Sequence, residues 1–542
     1  MKILRSSAVL LLTLAPLAVM HPQSPLQETK IDTGKLQGAS ANGVTAFKGI
    51  PFAAPPIGNL RWRPPQPAAK WSGVRQATAY GSDCMQLPFP SDAAPLGTPP
   101  AEDCLYANVW TPAHNNHQKL PVMVWIYGGG FVNGGSSPAV YDGSKFAEDG
   151  IVFVSFNYRV GRFGFFGFPA LSREGAGQPL GNYAYMDQIA VLHWVQRNIH
   201  AFGGDPGNVT IFGESAGGGS VLMLLTSPLT DGLFQKAMVE SGGGRDSLLG
   251  VRYLDKPSPH ERPSEEDLGV AFAKKNGIDG TDAAALAALR ALPAEKVVDC
   301  LNMATMGPAA STYGGPIVDG TIVTETPQAA LEAGHYKKVP FLIGANSADI
   351  GFPRWRTLAE TWAAFGTDAD AAQAAYDPNK TGNPMMVGFK IGADLMMIEP
   401  ARFVASTFAA AGLPSYEYRF SYVADSIRGK TPGAQHATEI PYVFDTVKAK
   451  YAAALTESDE TAAKDMHAYW ANFVKTGDPN GGSLPKWPAY TAAGDILMNF
   501  TNDGPMPEAD PLKARLDLVE KLAVKPAAPS AAISNAAKTG AK

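Results

Sequence analysis

This sequence predicts an α/β architecture with a large, mostly parallel sheet, and three observations carry the prediction. Short apolar runs of strand length recur along the chain, each ending in a glycine-rich or polar loop. Helical patterns lie between them. Most of the runs are continuously apolar rather than alternating, which marks strands buried on both faces of a sheet covered by helices.

The runs come in order. Residues 122–127 (VMVWIY) lead into Gly128-Gly129-Gly130, and a second run covers 151–158. Residues 209–212 (VTIF) run straight into Gly213, and 339–343 (VPFLI) into Gly344. The stretch 415–420 (SYEYRF) differs, because Tyr416, Tyr418 and Phe420 alternate with polar residues. That period predicts a half-buried strand. Helices are expected over 187–198, 282–292 with Asp282 as N-cap, 466–474 and 512–522. The stretches 245–315 and 352–412 read as helical, loop-rich insertions over the sheet, with no linker around them. Residues 25–522 are therefore expected to form one domain. The tail 525–542, rich in Ala, Pro and Ser, is expected to be disordered.

The bulk numbers exclude some partners. The 542 residues hold 45 Lys plus Arg against 50 Asp plus Glu, a net charge of −5. A nucleic-acid binder carries a basic excess, and this chain has none. Lys2 and Arg5 precede an apolar run over 8–20, too short to span a bilayer and suited to a cleaved export signal over 1–22. No later run is long enough for a membrane helix. An exported chain with three cysteines is expected to hold one disulfide. Cys84 and Cys104, close together around a proline-rich loop, are the expected pair, with Cys300 a buried small hydrophobe. No paired C-x-x-C spacing suggests zinc, and no cofactor is implied.

The chemistry gathers at the strand ends. Gly213-Glu214-Ser215-Ala216-Gly217 is a G-x-S-x-G that follows strand VTIF and precedes the apolar, helix-compatible run 221–225. Strand, sharp turn and helix make a nucleophile elbow, the feature that defines an α/β-hydrolase fold. A serine hydroxyl is a weak nucleophile and needs a base within hydrogen-bond reach, itself oriented by a carboxylate. In this fold the chain order is serine, acid, histidine. His436, in the polar loop beyond 415–420, fits the base; His467 lies in a helix, where packing explains it better. Asp349, just past strand VPFLI, is the candidate acid. Asp319 competes, although its Asp-Gly is more simply a turn.

Acyl transfer also needs donors for a tetrahedral oxyanion. Gly128-Gly129-Gly130-Phe131 fits the glycine-rich oxyanion loop of lipases and esterases, which assigns Gly129 and Gly130 N–H with that of Ala216. A phosphate loop is excluded by the absence of G-K-[ST] and by Asn133 where G-x-G-x-x-G needs glycine.

Several blocks carry a resemblance that runs over roughly 25–520. They include residues 47–53 (FKGIPFA), 102–106 (EDCLY), 127–131 (YGGGF), 157–159 (NYR), 202–206 (FGGDP), 213–218 (GESAGG), 436–441 (HATEIP) and 476–480 (TGDPN). Together they resemble the type-B carboxylesterase/cholinesterase family. The resemblance implies a mixed sheet with a gorge leading to Ser215, His436 as base, and the Gly129, Gly130 and Ala216 oxyanion hole. It implies a Cys84–Cys104 disulfide, ion pairs of Arg61 with Glu102 and Arg159 with Asp187, and roles near the triad for Glu214 and Ser241. One departure stands out: the family usually has Glu followed by Gly where this chain has Asp349-Ile350. The family's choline enzymes hold their cation on a tryptophan inside the first disulfide loop, and here residues 85–103 contain only Phe89 among aromatics. Phe131 and Phe165 add to an apolar site. The expected activity is hydrolysis of small uncharged carboxylic esters by a secreted or periplasmic enzyme. An amidase or thioesterase on the same triad, or a binding protein without activity, are the alternatives; the presence of both Ser215 and His436 speaks against the last.

Overall fold

The computed structural model describes residues 26–524 apart from 90–91, 176–179, 247–250, 259–261 and 307–309. The expected leader over 1–22 and the tail over 525–542 lie outside the described residues.

Seven parallel strands form the centre of an eleven-stranded sheet. In chain order they are β1 (Leu120–Ile126), β2 (Val152–Phe156), β3 (Gly204–Glu214), β4 (Lys236–Glu240), β5 (Phe341–Asn346), β6 (Ser415–Phe420) and β7 (Ile496–Thr501). Side by side they run β2-β1-β3-β4-β5-β6-β7. Antiparallel strands complete it, Tyr106–Thr111, Val44–Pro51 and Ala39–Ala41 in turn beyond β2 and Gly504–Ala509 beyond β7. The apolar runs account for the centre: every residue of β2, β4 and β5 is buried.

The strand β6 departs from expectation. Its alternation predicts one wet face, yet all six residues are buried. The strand lies between β5 and β7 rather than at an edge, and its polar residues meet buried partners. Arg419 pairs with Asp510 at 2.9 Å and lies 3.9 Å from Glu417. A period-2 pattern reports two different environments, and here the second is an internal ion cluster rather than water.

The helices follow their local signals. Asp282 caps Ala283–Arg290 by accepting the Ala285 N–H at 3.0 Å. Thr456 and Asp459 form a capping box that starts Glu457–Thr476, several turns before the expected start. The helix expected from 187 already begins at Tyr183 and runs to Asn198. The stretch 352–412 is helical as expected, with a π-helical turn Asp394–Ile398 joining Pro384–Ala393 to Glu399–Ala410.

Covalent and ionic ties hold the loops that lead to the site. Cys84 and Cys104 are disulfide-bonded. Beside them Glu102 grips Arg61 through Nε at 2.8 Å and Nη2 at 2.5 Å. Asp187 takes Arg159 in the same two-pronged way, at 2.7 Å on each prong. Cys300 corrects the expectation made for it, since it is an exposed free thiol. Val297 and Leu301 on either side fill the core, while Asp299 and Cys300 both adopt positive φ (53° and 56°) and turn the thiol outward.

Candidate active site

Three strand ends converge. Ser215 stands between β3 and the helix Ala216–Thr226 with φ 56° and ψ −123°. A side-chain-bearing residue rarely holds such a backbone, and here the surroundings enforce it. A Cβ on Gly213 would lie 2.6 Å from the carbonyl groups of Gly217 and Ile126, and one on Gly217 would overlap the Ile126 carbonyl. Only glycine on both sides lets the elbow close against β1. The Ser215 N–H donates to the Glu240 carbonyl at 2.8 Å, which pins the turn to the end of β4.

His436 arrives on the loop after β6, and Asp349 on the loop after β5, with Ala348 and Gln435 bridged to bring the two loops together. The His436 Nε2 lies 2.8 Å from the Ser215 Oγ, and its Nδ1 lies 2.6 Å from the Asp349 Oδ1. The Asp349 carboxylate is saturated. Its Oδ1 also accepts the Ile350 N–H at 2.7 Å, and its Oδ2 accepts the Ser241 hydroxyl at 2.7 Å and the Asn346 N–H at 2.9 Å. Those donors need an acceptor on both oxygens, so they fix both the side chain's place and its charge.

More carboxyl groups crowd behind the histidine. Glu214 Oε1 lies 3.3 Å from the His436 Nε2. Glu439, on the turn after His436, accepts from the Asn346 side-chain amide at 2.5 Å, and Glu240 accepts from the Trp470 indole at 2.7 Å. Burial lowers the His436 pKa, but Glu214 and Asp349 raise it by more and push it up to about 10. Burial pushes Glu214 itself well above the carboxylate range. Asp349 remains ionised: against its burial, His436 and the hydrogen-bond donors hold it below the usual range.

The glycine loop after β1 sits directly on the serine. A Cβ on Gly128 would come 2.9 Å from the Ser215 Cβ and 2.6 Å from the Glu214 carbonyl. Gly129 and Gly130 follow with φ of 100° and 61°. Among the described residues no acceptor takes the N–H of either. Ala216 opens its helix, where first-turn N–H groups lack helical partners and the helix dipole favours negative charge.

A cavity of about 730 Å³, partly open to solvent, begins at Ser215. Phe131, Leu222, Met223, Ile317 and Val323 form its apolar walls. Phe165 stands behind Phe131, edge-on at 5.3 Å, rather than on the wall. Arg245, Asp246 and Arg252 also face the cavity. The Arg245 charge is met by Glu399 at 2.7 and 2.6 Å, and Asp246 accepts from Thr326 at 3.0 Å.

The competitors have other work. Asp319 caps its own turn, accepting three successive N–H groups from Thr321 to Val323, and takes the Asn182 amide at 2.7 Å. His467 packs on Phe146, with Nδ1 2.8 Å from the Val443 carbonyl. Sequence reasoning missed Asn346 and Glu240. The signal for Glu240 was present as an acid closing the otherwise apolar run after Lys236, where exposure is not available to explain it. Among the described residues, no cluster of three His, Cys, Asp or Glu side chains could hold a metal ion.

Known proteins resemble this one over nearly the whole chain. The profile of the carboxylesterase family matches residues 25–377 and 377–515. A fumonisin B1 esterase from Sphingopyxis macrogoltabida is 35% identical over 503 residues, covering 89% of this chain and 86% of that protein. A cocaine esterase from Homo sapiens is 35% identical over 500 residues, covering 84% and 83% respectively. Among solved structures, the carboxylesterase EST55 of Geobacillus stearothermophilus aligns with a TM-score of 0.73 and 34% identity, over 90% of this chain and 99% of that one.

Proposed function

Given that the chain belongs to the carboxylesterase family, serine hydrolases of the α/β-hydrolase fold, we propose that it cleaves uncharged carboxylic esters through an acyl-enzyme on Ser215. His436 Nε2 takes the hydroxyl proton as the Ser215 Oγ attacks the ester carbonyl. The Gly129, Gly130 and Ala216 N–H groups receive the oxyanion, and Asp349 fixes the tautomer and stabilises the imidazolium. His436 then protonates the leaving alkoxide. Water, deprotonated by the same nitrogen, attacks the acyl-enzyme and releases the acid.

The unbroken chain from Ser215 Oγ through His436 to Asp349, at 2.8 and 2.6 Å, carries this reading. Glu214 stands 3.3 Å from the His436 Nε2 beside the base, and Ser241 holds the acid in place. The apolar walls of the cavity and the disulfide loop without tryptophan support a neutral substrate. We also read residues 25–522 as one catalytic domain behind a cleaved export leader.

Ser215→Ala tests the proposal. The variant keeps its fold and loses turnover by about 10⁴-fold or more. In the wild type an organophosphate leaves a single adduct on Ser215. Labelling at another residue, or activity in the alanine variant, overturns the assignment.

A further inference from the structure

Two thioethers stand beside the proposed oxyanion donor Gly130. A Cβ built on Gly130 would lie 2.5 Å from the Met303 Sδ and 3.5 Å from the Met306 Sδ, so both sulfurs border the space that a side chain at that position would take. The segment is anchored there. The Met303 N–H donates to the Asn133 Oδ1 at 2.9 Å, and the Asn133 amide holds the Gln86 Oε1 at 3.1 Å and the Leu87 carbonyl at 2.8 Å in the disulfide loop. Most core methionines, Met123, Met238 and Met498 among them, are sealed from solvent. Met303 and Met306 are only half-buried, so a small oxidant reaches them.

We propose that Met303, with Met306 beside it, is a modification site through which hydroperoxides switch the enzyme off. The proposal rests on the oxyanion role given to Gly130 above. The thioether sulfur attacks one oxygen of the hydroperoxide and the O–O bond breaks. Sulfur gives up two electrons and keeps that oxygen, while the other oxygen takes a proton and leaves as water or an alcohol. The sulfoxide oxygen is a strong acceptor set against the Gly130 backbone. It competes for the Gly130 N–H and repels the negative oxygen that catalysis must place there. Losing one oxyanion donor lowers turnover by about 10²- to 10³-fold.

The test treats purified enzyme with hydrogen peroxide and follows ester turnover beside peptide mass analysis. The wild type loses about 10²- to 10³-fold in kcat as one oxygen is added to the peptide carrying residues 303 and 306, and methionine sulfoxide reductases restore it. Met303→Leu/Met306→Leu resists peroxide, whereas Cys300→Ser, which removes the exposed thiol three residues away, is inactivated like the wild type. Met303→Gln, which places a carbonyl near the sulfoxide position, lowers kcat in untreated enzyme with KM held. Should the double variant be inactive before treatment, the two single leucine variants and Met303→Gln decide the matter. Inactivation of the leucine variants at the wild-type rate, protection by Cys300→Ser, or full activity with residues 303 and 306 oxidised overturns the proposal. Failure of the esterase reading itself shows separately, as untreated wild type that neither hydrolyses an ester nor labels at Ser215.

Discussion

Replacing Asp349 by Asn separates the orienting carboxylate from every other feature of the site. Four donors face the two oxygens: His436 Nδ1, the Ile350 and Asn346 N–H groups, and the Ser241 hydroxyl. Asparagine offers one accepting oxygen and one donating nitrogen. If its oxygen faces Asn346 and Ser241, its NH₂ points at His436 and clashes with the Ile350 N–H. The imidazole must then accept at Nδ1 and carry its proton on Nε2, where it cannot take one from Ser215. If the amide is reversed, its NH₂ meets the Asn346 N–H, and a buried donor is stranded. Either choice costs about 1–3 kcal/mol of stability. The first also removes the productive tautomer, and a comparable change in another serine hydrolase lowers kcat about 10⁴-fold, or about 5 kcal/mol of barrier. Turnover of a chromogenic ester, with thermal unfolding on the same preparation, measures both. A variant retaining a tenth or more of wild-type kcat, or an equal loss in Asp319→Asn, refutes the assignment of Asp349.

Further outcomes follow from the same geometry. Only neutral His436 accepts the serine proton, so its raised pKa moves the acid limb of kcat/KM above the free imidazole value of about 6.5. Asp349→Asn and Glu214→Gln each lower that limb, because both carboxyl groups raise the His436 pKa; a limb that stays in place in Glu214→Gln means that Glu214 carries no charge beside the imidazole. Non-reducing peptide mapping recovers Cys84 joined to Cys104 and Cys300 alkylatable, and reducing the bridge, which closes a loop of separation 20, costs on the order of 3 kcal/mol of unfolding free energy by chain entropy. An uncharged butyrate ester outperforms butyrylcholine in kcat/KM when leaving groups are matched, and a clear preference for choline would locate a cation site elsewhere in the cavity.

The strands, the elbow and the partners of Ser215 were legible because each is a local pattern. An apolar run ending in glycine marks a buried strand and the turn that follows it. Cys300 was misread because its neighbours Val297 and Leu301 are core residues, and nothing in the composition announces two consecutive left-handed residues. Glu417 and Arg419 were misread because alternation records only that two faces differ. Asp349 was preferred over Asp319 because Asp319-Gly320 reads as a turn, and the structure shows Asp319 capping that turn while the bridge between residues 348 and 435 brings Asp349 to the histidine. Glu240 and Asn346 at the ends of β4 and β5 meet Glu439 on the loop beyond β6, a convergence that no sequence window contains.

That the hydrogen bond between Ser215 and His436 closes across 221 residues has a kinetic consequence. Loop-closure entropy must be met before so distant a contact forms, and parallel strands have no short hairpin route to assembly. The triad is therefore among the last features to assemble during refolding. Secondary structure and compaction precede it, and regain of esterase turnover trails both. Enzymatic activity in this chain reports completion of the whole sheet, and a species trapped before β6 docks on β5 has an intact serine elbow with no base to activate it.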